Sequence, residues 1–140
     1  MKALKKIQFL VFMAIVALTS VMLTSCKKDE PLPLTAVINV SSTTGNKSGD
    51  IKGDGGSATK TFTFTNPNTT AGWDMSISAK SGSFKLVLKD ASGSIVLDKT
   101  LTAGSGLQSA DGTTPAGTSG IWSATVTLTN FNGTGDYSFR

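Results

Sequence analysis

From Trp122 to Thr129 the chain alternates strictly: Trp122, Ala124, Val126 and Leu128 are separated by Ser123, Thr125, Thr127 and Thr129. A β-strand points successive side chains to opposite faces, so this spacing makes one wall apolar and the other polar. The same alternation places Trp73, Met75, Ile77 and Ala79 against Asp74, Ser76, Ser78 and Lys80. It recurs in Phe62 and Phe64 among Thr61, Thr63 and Thr65, and in Phe84, Leu86 and Leu88 with Lys85 and Lys89. Ala36, Ile38 and Val40 predict a first strand. Ile95 and Leu97 follow the turn Asp90-Ala91-Ser92-Gly93, and Tyr137 and Phe139 follow an Asn132-Gly133 turn. A short strand near Leu101 to Leu107 brings the expected total to about eight. A one-sided strand is stable when its apolar face meets that of a second sheet. No helical period appears after residue 31, so no crossover helices are available for a parallel sheet. The expectation is an all-β, antiparallel, jelly-roll-like β-sandwich over residues 35–140.

What the chain lacks narrows its chemistry. It has no histidine and a single cysteine. That removes the imidazole general base, the Ser-His-Asp and Cys-His arrangements, and the common zinc sites. No disulfide can form within the chain, so the domain must be held by packing. Of the nine acidic residues, two lie near the N-terminal side at Asp29 and Glu30, and the others fall mostly at turns or outward strand positions, with Asp74 and Asp98 in mid-strand. This pattern reads as solvated surface acids, not a carboxylate pair for glycoside hydrolysis. The expectation is a protein that is not an enzyme and takes no cofactor. Arg140 is the only arginine, and the lysines form no cluster beyond the N-terminus, so nucleic acid is not expected as a partner.

The N-terminal segment follows different rules. Lys2, Lys5 and Lys6 precede an unbroken apolar run from Phe9 to Leu18, which ends in Leu23-Thr24-Ser25-Cys26. A basic start, an apolar middle and small residues at the end mark a secretory signal. The last four residues resemble the lipobox of bacterial lipoproteins, which implies cleavage between Ser25 and Cys26 and lipidation of the Cys26 thiol. On that reading residues 1–25 are a cleaved signal peptide, and 26–34 form a polar, proline-containing tether. The alternatives are an uncleaved membrane anchor, which the serines and threonines after Leu18 weaken, and a plain secretory signal. With the three signal lysines gone, the formal charge of +4 falls to +1. Two or more acyl chains such as palmitate would make the attachment durable, because each buried methylene contributes about 0.8 kcal/mol. Cys26-Lys27-Lys28-Asp29-Glu30 is similar to the start of outer-membrane lipoproteins of Bacteroidota, which implies an outer-membrane address and exposure at the cell surface.

A second resemblance covers Ala58 to Arg140. The stretch from Trp73 to Val96 is similar to the middle of bacterial pre-peptidase C-terminal domains, and Ser119 to Leu128 with Gly133 to Phe139 echoes their ending. The resemblance implies a small jelly roll. The acidic pair that the family carries before its central strand is replaced here by Ser83 and Phe84, so its calcium site is not carried over and no metal site is expected.

Candidate ligand contacts come from aromatic and loop residues. Sugars stack on Trp and Tyr rings. Trp73 and Trp122 fall in phase with aliphatic neighbours and read as core, but Trp122 stays a ligand candidate because an indole N–H needs a partner at a sheet margin. Phe131, between Asn130 and Asn132, breaks the alternation and reads as exposed or as a bulge. Ala103 to Gly120 reads as a long polar loop carrying Asp111. Asp50 and Asp54 sit in Gly49-Asp-Ile-Lys-Gly-Asp-Gly-Gly, which reads as a second loop of solvated acids without the regular ligand spacing of a calcium loop. Together these residues predict a monomeric, non-catalytic, lipid-anchored β-sandwich that binds a glycan or an envelope protein through its loops. The alternative is a structural or accessory subunit of an envelope assembly with no soluble ligand.

Overall fold

The computed structural model describes residues 31–43 and 46–140. The signal segment, Ser25 and Cys26 lie outside them, so the cleavage and lipidation expectations are not addressed by the fold. The described residues form seven strands and no helix: β1 (Ala36–Ile38), β2 (Ser41–Thr43), β3 (Asn46–Asn66), β4 (Gly72–Lys89), β5 (Ile95–Thr102), β6 (Leu107–Thr113) and β7 (Gly120–Phe139). Every pairing is antiparallel, and the main order is β1-β3-β7-β4-β5, with β2 beside β3 and β6 beside β4.

Three of the strands are long, and each bends in the middle. The β3–β7 ladder shifts register between Asp54 and Ala58, and the β4–β7 ladder shifts between Ala79 and Ser83. The bends meet at Asn130, whose φ of 46° lies in the left-handed region that Asn tolerates better than most residues. Its N–H donates to Ser57 Oγ at 2.9 Å, and its carbonyl accepts from Ser81 Oγ at 3.3 Å. Gly82 sits in the same row with φ 86°, where a side chain would collide with the carbonyls of Thr129 and Asn130.

The bends fold one continuous set of strands over on itself. Phe64 pairs with Trp122 at the start of β7, yet its ring centroid lies 4.6 Å from that of Phe139 at the end of β7. Phe84 on the second half of β4 likewise meets Tyr137, at 6.1 Å. One layer contains the first halves of β3 and β4, the second half of β7, and β1, β2 and β6. The other contains the remaining halves and β5. The core between them holds Ile51, Met75, Ile77, Phe84, Leu86, Leu88, Trp122, Val126, Phe131, Tyr137 and Phe139, all at most 1% exposed. Aromatic pairs offset or tilted in this way add about 0.5–1.5 kcal/mol each beyond their burial.

The architecture is the antiparallel sandwich that the alternation implied, with several local differences. Seven strands replace about eight, because two pairs of expected strands merge into β4 and β7 while β2 is added. Asn132-Gly133 is not a turn: β7 runs through it after the bend. Ile95 is 58% exposed and Val96 is buried, because a bulge between Leu88 and Lys89 shifts the phase of β5. The Asp90–Gly93 turn is present as read, held by Asp90 Oδ1, which accepts the N–H groups of Ser92 and Ser94 at 3.0 and 2.8 Å.

Candidate functional site

Strand pairing decides which polar side chains share a surface. In the first layer, Met75, Ile77, Tyr137 and Phe139 face the core, so their sequence neighbours face water. The outward set on β4 is Asp74, Ser76, Ser78 and Lys80, and on β7 it is Thr134, Asp136 and Ser138. β6 adds Asp111 and Ser109, because Asp74 pairs with Asp111 and Ser76 with Ser109. β3 adds Asp50, directly opposite Asp136.

This outer face carries a depression of about 420 Å³ lined by Gly72, Trp73, Asp74, Asp111, Gly112, Thr113, Ser138 and Arg140. Its floor is low because Gly72 has no side chain, and the Arg140 side chain lies beside it. A backbone pair fixes that arrangement, with Gly72 N–H on Arg140 O at 2.8 Å and Arg140 N–H on Gly72 O at 2.9 Å. The indole of Trp73 packs against Gly112 on the neighbouring strand, where a β-carbon would lie 3.3 Å from the ring. Trp73 is therefore partly covered at the sheet margin and contributes to the rim.

The electrostatics of the depression are unbalanced. Asp74 and Asp111 are directly opposed across the ladder, which puts their β-carbons about 4.5–5.5 Å apart, and like charges in that relation destabilise a sheet. Among the described residues the only ion pair is Lys85 with Asp98, at 3.0 Å on the other layer. Neither Asp74 nor Asp111 accepts a side-chain hydrogen bond there either. By contrast, Asp136 accepts from Ser76 Oγ at 3.0 Å, and Asp50 from Asn39 Nδ2 at 2.7 Å. Asp74 and Asp111 present free acceptor oxygens to whatever enters. No group of three or more potential metal ligands converges among the described residues.

The sequence-predicted contacts divide clearly. Asp111 lines the depression. Phe131 and Trp122 do not reach any surface: both are 0% exposed. Phe131 marks the bulge, and its ring fills the interior beside Gly53. Trp122 completes the core, and its indole N–H finds its partner inside the protein, in the Thr118 carbonyl at 2.8 Å. Ala103 to Gly120 is not one loop, because β6 occupies its middle. Asp50 and Asp54 also stand on a strand, β3, and not in a loop. Trp73, Asp74 and Arg140 at the depression were missed. The signal for Asp74 was its outward phase next to Trp73, but its pairing with Asp111 has no trace in local sequence.

No family model matches the chain, and no curated protein matches it. Solved structures do. TmCBM61 in complex with beta-1,4-galactotriose is similar at a TM-score of 0.45 and 9% identity, over 79% of this chain and 70% of that one. The carbohydrate-binding module CBM6cm-2 from Cellvibrio mixtus lichenase 5A, in complex with cellotriose, is similar at a TM-score of 0.42 and 11% identity, over 78% and 89%. The arabinose-bound α-L-arabinofuranosidase MgGH51 is similar at a TM-score of 0.42 and 15% identity, over 79% of this chain and 22% of that enzyme.

Proposed function

We propose that this protein is a lipid-anchored, non-catalytic envelope protein whose sandwich holds a glycan on the outer face of its first layer, at the depression between Asp74, Asp111 and Arg140. The observation that carries the reading is the directly opposed pair Asp74 and Asp111, held in no ion pair among the described residues and lining one depression with Arg140. Sugar hydroxyls donate to carboxylates and accept from a guanidinium. A hydroxyl-bearing ligand relieves two acceptors held close together without bringing in further charge. The anchor rests on Lys2, Lys5, Lys6 and the run ending at Cys26, and the stretch Cys26-Lys27-Lys28-Asp29-Glu30 supports display at the outer membrane and cell surface.

The test is calorimetric titration of the full chain, with its anchor held in detergent, against neutral and acidic polysaccharides. Asp74→Asn and Asp111→Asn should each weaken glycan binding about tenfold, the loss of roughly 1.4 kcal/mol, with the unfolding midpoint unchanged or raised. Equal affinity in the wild type and both variants would remove the depression from the reading. Cleavage of the bound glycan by purified protein would remove its non-catalytic part. Incorporation of labelled fatty acid should disappear in Cys26→Ala, and absence of label from the wild type would remove the anchor.

A further inference from the structure

A second depression lies on the same outer face, at the other end of the same strands. It measures about 380 Å³ and is lined by Ser78, Ala79, Lys80, Gly104, Gly106, Asn132, Gly133 and Thr134. Both depressions straddle β4 and β7, and β6 connects them along one side: Gly104 and Gly106 precede it, and Asp111 to Thr113 end it. From Asp74 to Lys80 along β4 the distance is roughly 20 Å at strand rise, farther than a disaccharide reaches. The surface between them is continuous and mostly polar, formed by Ser76 and Ser78 on β4, Asp136 and Thr134 on β7, and Ser109 on β6, with the exposed Leu107 opposite Ser78.

We infer that the ligand is an uncharged polysaccharide chain lying along β4 and occupying both depressions, not a single sugar or a chain end held in one. This inference rests on the glycan reading above and adds the ligand's length and charge. The length follows from two separate hollows joined by hydroxyl and carboxylate groups at strand spacing, with the exposed Leu107 opposite Ser78 giving a sugar ring an apolar contact between them. The charge follows from the distribution of ionised groups. Asp74 and Asp111 are directly opposed, so are Asp50 and Asp136, and Asp54 stands opposite Asn132; against these five carboxylates the face sets three cations, Lys52 opposite Thr134 and Arg140 and Lys80 at the two ends. A uronate chain would bring its own carboxylates against those of the face within a screening length of about 10 Å. A neutral chain supplies only hydroxyl donors, which the carboxylates accept.

The test is titration of the same detergent-held full chain with neutral β-linked glucan and galactan oligosaccharides of increasing length, and with polygalacturonate fragments of matched length. Affinity for the matching neutral series should rise at least tenfold from disaccharide to hexasaccharide, and the uronate series should bind at least tenfold more weakly. Lys80→Ala with Thr134→Ala should lower hexasaccharide affinity severalfold and leave disaccharide affinity unchanged, with the unfolding midpoint as the control for folding. Affinity independent of chain length, or uronate binding equal to neutral, would overturn this inference while leaving the glycan reading in place. Binding of no oligosaccharide in either series would overturn both.

Discussion

The carboxylate of Asp90 accepts the backbone N–H of Thr118 at 2.8 Å, joining the β4–β5 turn to the segment that leads into β7. Two residues further along its own turn, Ser92 donates its hydroxyl to the same carboxylate at 2.7 Å. Thr118 in turn accepts the Trp122 indole N–H, so one turn acid organises the end of the core.

That relationship makes Asp90 an acid-sensitive clasp. The Ser92 hydroxyl and the Thr118 N–H, aided by Ser94 and Ser92 backbone groups, hold its carboxyl at about 2, below the ordinary 3.8. The folded state therefore favours the ionised form. Its contribution to stability is complete above the ordinary value and is lost as pH falls toward about 2. Asp90→Asn should lower the midpoint at neutral pH by several degrees and flatten the acid arm between pH 4 and 2. Thermal scans across that range read both effects, and an unchanged acid arm would show that Asp90 is not the group responsible.

Trp122→Ala should destabilise the protein by about 3–5 kcal/mol, because the ring is fully buried and lies beside Phe64 at 6.1 Å. Trp122→Phe should lose less, since it keeps part of the volume and gives up the bond to Thr118. Denaturant melts of the two variants give the order. A loss below about 1 kcal/mol for the alanine variant would contradict the buried placement.

The bend row can be separated from ordinary turn chemistry by two glycines. Gly82 and Gly93 have nearly the same φ, 86° and 85°, but a β-carbon at Gly93 meets open space and one at Gly82 meets two carbonyls. Gly93→Ala should cost about 1–2 kcal/mol, the general penalty of a left-handed residue. Gly82→Ala should cost clearly more and broaden unfolding, because relief requires the three-strand bend to move. Equal losses would mean that the close approach is not limiting.

Tyr137 predicts an alkaline limit. Burial first, and then the Asp50 charge, push its phenol from 10.0 to about 12, and the O–H donates to the Asn39 carbonyl at 2.8 Å. The folded state favours the protonated form, so stability is full below pH 10 and falls as pH rises from 10 toward 12. Tyr137→Phe should lose about 0.5–1.5 kcal/mol at neutral pH and flatten that alkaline arm. Unfolding midpoints measured on both sides of pH 10 test the sign.

Much of the core was legible because burial on a strand repeats every second residue. Trp122 to Leu128, Met75 and Ile77, Phe84 to Leu88, and Tyr137 with Phe139 all face inward in the phase read from sequence. The first half of β3 was not legible. Its inward positions include Gly49 and Gly53, where a side chain would collide with Tyr137 and with Phe131. The Asn39 and Phe131 carbonyls, with the Tyr137 phenol, fill the space that an apolar residue would otherwise occupy, so the alternation is absent although the strand is present. β6 was hidden for a different reason. Leu107 is 68% exposed, and only Ala110 packs against the core, so an edge strand held by its backbone ladder to β4 looks like a polar loop. Removing Gly104 to Gly117 would delete that strand, not trim a loop.

Local alternation and composition specify an all-β chain with one-sided strands, a core of particular aromatic and aliphatic residues, and no imidazole. Those properties depend on local alternation and on residues simply present or absent. Long-range strand pairing makes three strands bend near Asn130 and serve both layers, encloses Trp122 and Phe131, and sets Asp74 opposite Asp111. Each of these depends on register between segments far apart in the chain. A one-residue slip would send every side chain of a strand to the other face, and nothing within a single strand records which partner holds it in place.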